Sequence, residues 1–108
     1  HYAGKLPVWL SPIQVRVINV HENQLEFSKN VEKKLLEAGL RVEGDYRVET
    51  LGYKIREGRN SRIPFLVILG DREQSEGNIS VRNRENKTSN MKVEELISMV
   101  KETENLKK

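Results

Sequence analysis

A chain of 108 residues is long enough for one hydrophobic core and too short to divide into two, so a single domain spanning 1–108 is expected. Its 36% hydrophobic and 32% charged residues fit a globular protein with a heavily charged surface, and no apolar stretch nears the roughly 18 residues of a membrane span. Lys plus Arg outnumber Asp plus Glu by 19 to 16, a net charge of +3 too small to define a partner, and the absence of cysteine excludes disulfides.

Ile13 to Val20 alternates Ile13, Val15 and Val17 with Gln14 and Arg16, a period-2 strand that Pro12 introduces. From Asn23 to Ala38 the apolar Phe27, Val31 and Leu35 recur every four positions, which predicts an amphipathic helix ended by the left-handed residue Gly39. Leu40 to Glu43 is a second strand, interrupted at Gly44-Asp45, and Leu51 to Arg59 a shorter helix with Thr50 as N-cap. Pro64 to Gly70 is an apolar run without alternation, the mark of a central strand covered on both faces.

Asp71-Arg72-Glu73 reads as a polar turn. Asn78 to Arg84 alternates again, with Ile79 and Val81 on one side and Ser80, Arg82 and Arg84 on the other, and a partner strand near Lys87 to Met91 would close a hairpin. Val93, Leu96, Ile97 and Val100 mark a last helix that fades into the polar tail 104–108. Strands and helices in this order predict an α/β layer fold with a mixed sheet.

The sequence start lacks the basic-then-apolar layout of a signal peptide, so the cytoplasm is the expected compartment and the sequons Asn78-Ile79-Ser80 and Asn86-Lys87-Thr88 have no use. His1 and His21 have no ligand-spaced neighbours, which argues against a metal site, and Val20-His21-Glu22-Asn23 stands where a phosphate-binding glycine loop would follow the first strand. Asp45 and Asp71 lie at apparent strand ends, where α/β enzymes keep catalytic groups, yet carboxylates there serve as caps or turn formers. Basic residues gather at Arg47, Lys54, Arg56, Arg59 and Arg62, and again at Arg82, Arg84 and Lys87. A solvated surface of mixed charge accounts for these counts, and a nucleic-acid partner stays open.

Four blocks give a more specific reading. His1 to Val15 (HYAGKLPVWLSPIQV) resembles the junction, here residues 1–10, where the class II catalytic core of threonyl-tRNA synthetases passes into the anticodon-binding domain. Leu51 to Glu57, then Ile63-Pro64-Phe65 with Gly70-Asp71-Arg72-Glu73, then Val81-Arg82-Asn83-Arg84, resemble successive blocks of that domain in order and spacing. The resemblance implies the class IIa anticodon-binding fold, a five-stranded mixed β-sheet flanked by three α-helices. It also implies a module without catalytic residues or cofactor of its own, whose partners are the anticodon loop of threonine tRNA and the catalytic core of the full enzyme.

In that family the middle guanine and third-position uracil of the anticodon are read at the sheet edge. Glu73 falls on the reading glutamate and Arg82 on the reading arginine, while Arg72 takes a place that is usually lysine and is expected to pack against or hydrogen-bond the anticodon loop. Val48 falls where some members carry a base-contacting asparagine, so Arg47 or Glu49 would have to substitute, or Arg82 act alone. Arg84, Lys87, Lys54 and Arg56 become candidates for backbone phosphate contacts. Tyr53 and Trp9 are expected as packing residues rather than stacking platforms. ATP and zinc would belong to the catalytic core; the full enzyme is expected to be a homodimer and this domain alone a monomer. The alternative is a free-standing accessory or subunit-interaction domain of the same fold that no longer reads RNA.

Overall fold

The computed structural model describes residues 11–105. The junction expected at 1–10, with Trp9, lies outside the described residues, as do 106–108 of the tail. The strands are β1 (Val15–Asn19), β2 (Val42–Asp45), β3 (Phe65–Leu69), β4 (Ile79–Arg82) and β5 (Thr88–Met91). The helices are α1 (Leu25–Glu37), entered through a 3-10 turn at Glu22–Gln24, then α2 (Leu51–Asn60), α3 (Asp71–Glu76) and α4 (Val93–Asn105).

The strands form one mixed sheet in the order β2-β1-β3-β4-β5. β1 is parallel to both β2 and β3, whereas β3, β4 and β5 run antiparallel in sequence. The five-stranded mixed α/β architecture is therefore as expected, but the described residues hold four α-helices rather than three. The addition is α3, where a polar turn was expected. No residue of α3 is buried, so it lacks the apolar stripe by which helices are recognised. Its ends hold it instead: the Gly70 N–H donates to Glu73 Oε1 at 2.8 Å, and Gly77, at φ 71, closes the other end with its N–H on the Glu73 carbonyl at 2.8 Å.

Alternation along the strands sorts side chains to two faces. Val15, Val17, Phe65, Val67, Leu69, Ile79 and Val81 meet Val31 and Leu35 of α1 and Val93, Leu96 and Val100 of α4 in the main core. Burying each of these side chains contributes about 1.5–3 kcal/mol. On the opposite face Ile18 and Leu66 pack with Ile63, against Leu51 and Ile55 of α2. β3 is thus covered on both sides, as its unbroken apolar run requires. α2 lies close on the sheet: a Cβ at Gly58 would stand 2.6 Å from Leu66 Cδ2.

The second strand begins later than expected and includes Gly44 and Asp45, which pair with Val17 and Ile18 instead of breaking the ladder. Leu40 is occupied in ending α1. Gly39 takes φ 92, its N–H reaches Leu36 O and the Leu40 N–H reaches Leu35 O at 3.2 Å, so the first ladder pair is Val15 with Val42.

Candidate nucleic-acid interface

α2 packs on β1 and on Leu66 of β3. The alternation that sends Ile79 and Val81 into the main core turns Ser80 and Arg82 to the other face of the sheet. In the hairpin register Asn90 stands opposite Ser80, and Thr88 opposite Arg82. α3, leaving the C-terminal end of β3, brings Glu73 to Ser80.

Both carboxylate oxygens of Glu73 are engaged. Oε1 accepts from the Gly70 N–H at 2.8 Å and Oε2 from the Ser80 hydroxyl at 2.9 Å. Partial burial would raise the pKa of this carboxyl, but the Gly70 and Ser80 hydrogen bonds, with the nearby Arg72 charge, hold it below the usual glutamate range. Glu73 is therefore an ionised acceptor at neutral pH. A carboxylate offers about four lone-pair sites, so the Gly70, Ser80 and own-backbone N–H donors do not exhaust it.

Arg82 shares this face with Ser80, two residues and about 7 Å along the strand. It is half-buried, and its Nε is a buried donor with no hydrogen-bond partner among the described residues. Such a donor is costly unless something accepts from it. Arg72 is solvated: its side chain is 71% exposed, and Nε stands a long 3.5 Å from Glu76 one turn on. The turn beyond β4 is organised by Asn83, whose Oδ1 accepts from the N–H groups of Glu85 and Lys87, both at 3.0 Å, with Asn86 at φ 68. This exposes the Lys87 side chain, while Arg84 is half-buried and burial pulls its pKa down.

The remaining expected residues lie elsewhere. An open cleft of about 630 Å³ beside the C-terminal ends of β1 and β2 is lined by Asn19, His21, Arg47, Val48, Thr50 and Lys54 among others. Val48, at the tip of its loop, is 88% exposed, and Glu49 is exposed next to it. The Arg47 guanidinium is bound edge-on by Asp45, at 2.8 Å from Nε and 2.9 Å from Nη2, and stands 5.3 Å from the Tyr53 ring centroid. That pairing holds the Asp45 carboxyl below its usual range and raises Arg47. Asp71 accepts from the buried Gln24 amide at 2.5 Å. The two aspartates thus hold neighbouring side chains at separate strand ends.

Two expectations require correction. Lys54 cannot contact phosphate from a solvated helix face, because it is 2% exposed, with Nζ 3.1 Å from Asn19 O and 3.0 Å from Asn19 Oδ1. Tyr53, expected to pack inside, is 38% exposed under the Arg47 guanidinium. The buried stripe of α2 runs through Leu51, Lys54, Ile55 and Gly58, the helical spacing i, i+3, i+4, i+7, and position 53 lies off it. Arg56 is on the exposed side as expected. Sequence reasoning missed Asn90, which becomes visible only once the hairpin register is known.

A mixed sheet with an anchored carboxylate and a half-buried guanidinium on one face suits recognition of a ligand rich in donors and acceptors. The model of the family described as anticodon binding domain matches residues 14–103, and the chain belongs to that family. Among curated relatives, the threonine–tRNA ligase of Clostridium acetobutylicum is 47% identical over 98 residues, covering 90% of this chain and 15% of the ligase. That of Carboxydothermus hydrogenoformans is 55% identical over 84 residues, 78% of this chain and 13% of the ligase.

The crystal structure of the RNA-binding domain of threonyl-tRNA synthetase from Cryptosporidium parvum superimposes with a TM-score of 0.91 at 31% identity, over 95% of this chain and 26% of that one. Histidyl-tRNA synthetase from Nostoc shares the fold, with a TM-score of 0.78 at 24% identity over 84% of this chain and 22% of its own. The domain is of the threonyl-tRNA synthetase type, and it spans only a small part of the ligases it matches.

Proposed function

We propose that this domain reads the anticodon of threonine tRNA, with Glu73 and Arg82 contacting the middle guanine and the third-position uracil, in support of threonylation by a separate catalytic core. The observation that carries the reading is the fixed, ionised Glu73 carboxylate with acceptor capacity left over. Guanine presents two adjacent donors, N1–H and the 2-amino group, to such an acceptor, whereas adenine presents an acceptor at N1 that a carboxylate repels. Arg82 supplies donors for base carbonyl oxygens from the same face through the terminal nitrogens of its guanidinium. Arg84, Lys87 and Arg56 face the phosphate backbone and add affinity without sequence information.

For the third base the loop at 47–49 contributes less by hydrogen bonding than by contact. The Arg47 fork is already committed to Asp45, and Val48 offers only apolar surface. Glu49 remains the loop's exposed acceptor, and Arg82 carries most of the reading. The domain itself holds no cofactor in this proposal; ATP and zinc serve the catalytic core, and the full ligase is a cytoplasmic homodimer in which this part contacts threonine tRNA.

The test is binding of the chain to a threonine anticodon stem-loop against one with the middle guanine changed to adenine, at physiological salt. The expected preference for guanine falls by about 1–3 kcal/mol in Glu73→Gln. Equal, salt-sensitive binding of both loops would replace this reading by an accessory or subunit-interaction role.

A further inference from the structure

Ser80 Oγ stands between two oxygen positions, 2.9 Å from Glu73 Oε2 and 2.8 Å from Asn90 Oδ1, yet its hydroxyl carries one hydrogen. The nitrogen and oxygen of an asparagine amide have nearly the same shape and exchange places by a half-turn of the side chain. Turning the Asn90 amide over satisfies every group at once: its NH₂ donates to Ser80 Oγ, the Ser80 hydroxyl donates to Glu73 Oε2, and the Gly70 N–H donates to Oε1. The opposite direction of the chain would require a protonated Glu73, which two donors aimed at its oxygens disfavour.

We propose that Asn90 and Ser80 are positioning residues for RNA recognition, passing one hydrogen-bond chain from β5 through β4 to Glu73 so that the carboxylate meets its ligand already ionised and fixed in orientation. The proposal rests on the reading of Glu73 as the acceptor for guanine. Its geometry uses three elements that converge without apolar packing: α3 supplies the carboxylate, β4 the hydroxyl and β5 the amide, with Ser80 and Asn90 paired in the strand register. Ser80 is 9% exposed, so water competes poorly for its hydroxyl, while Asn90 is exposed on the rim. A donor row of this kind spares the site the cost of orienting a free glutamate side chain when the base arrives. It also sets the chemistry of the ligand, a ring edge with two neighbouring N–H groups.

Two readouts test it on this chain. Carboxyl ¹³C titration without RNA follows Glu73 directly, and stem-loop binding follows discrimination between guanine and adenine. In Ser80→Ala the Glu73 midpoint should rise and the preference for guanine fall on the order of tenfold. Ser80→Thr, which keeps the hydroxyl, should preserve both, and Asn90→Ala should move both in the direction of Ser80→Ala but less. An unmoved Glu73 midpoint in Ser80→Ala, or equal losses in Ser80→Ala and Ser80→Thr, would overturn the chain of hydrogen bonds. A shifted midpoint in a protein that shows no guanine preference even before substitution would uphold the chain and overturn base reading by Glu73.

Discussion

Replacing Lys54 with methionine separates a structural lysine from an RNA-binding one. The methionine keeps most of the buried stem but withdraws the donors that Nζ gives to Asn19 O and Oδ1. The Asn19 amide cannot turn to compensate, because its Nδ2 is committed to His21 O at 2.9 Å, and Asn19 is 4% exposed. Two buried acceptors left without donors cost about 1–3 kcal/mol each. Relief from burying a lysine amine, whose pKa burial pulls down against the opposing field of Asp45, returns part of this. The expected net loss is about 2–4 kcal/mol, which for a domain of this size lowers Tm by on the order of 10 °C or more. Urea unfolding followed by circular dichroism measures it, and a cycle with Asn19→Ala should give a coupling of at least about 1 kcal/mol. A loss below about 0.5 kcal/mol, the level of an ordinary surface change, would refute the buried contact. RNA affinity of the folded fraction should not change.

Gly77→Ala places a side chain at φ 71 and should cost about 1 kcal/mol, with faster hydrogen exchange confined to α3 as the local sign. Glu73 and Asp45 both have carboxyl pKa values lowered on folding. Their stabilisation is therefore complete above the unfolded carboxylate value near 4 and is lost as pH falls through the lower folded values. Unfolding free energies measured between about pH 6 and pH 2 should fall less steeply in Glu73→Gln than in the parent. Lys87→Ala should weaken all stem-loops alike and reduce the salt slope by about one; a selective loss for the threonine loop would place Lys87 at a base instead.

Much of the fold was legible because burial leaves a period in the sequence. The apolar run at β3 announces a strand covered on both sides, and Phe27, Val31 and Leu35 announce α1. The helix α3 left no such mark, since Asp71–Glu76 buries nothing; its signals were the glutamate at the third helical position and the glycine after the last. Lys54 was misread because a lysine suggests water, although it stands in the same stripe as Leu51, Ile55 and Gly58. At the candidate site, Glu73 and Arg82 came from resemblance to a family, and alternation alone put Ser80 and Arg82 on one side. Asn90 depends on which residue faces Ser80 across the hairpin, and the polar strand Thr88–Met91 holds no apolar pattern to fix that register.

The strand order bears on how the molecule comes to be folded. β1 lies at the centre of the parallel half, yet its neighbour β3 arrives only after α1, β2 and α2 have been made, so closing this pair is a long-range event that slows the search. The β4–β5 hairpin, by contrast, closes across a five-residue turn organised by Asn83 and can form on a microsecond scale. Ser80, Arg82, Thr88 and Asn90 are therefore joined by local contacts, and Glu73, seven residues before Ser80, joins them through the equally local β3–β4 connection, so the polar cluster needs no help from the long-range closure.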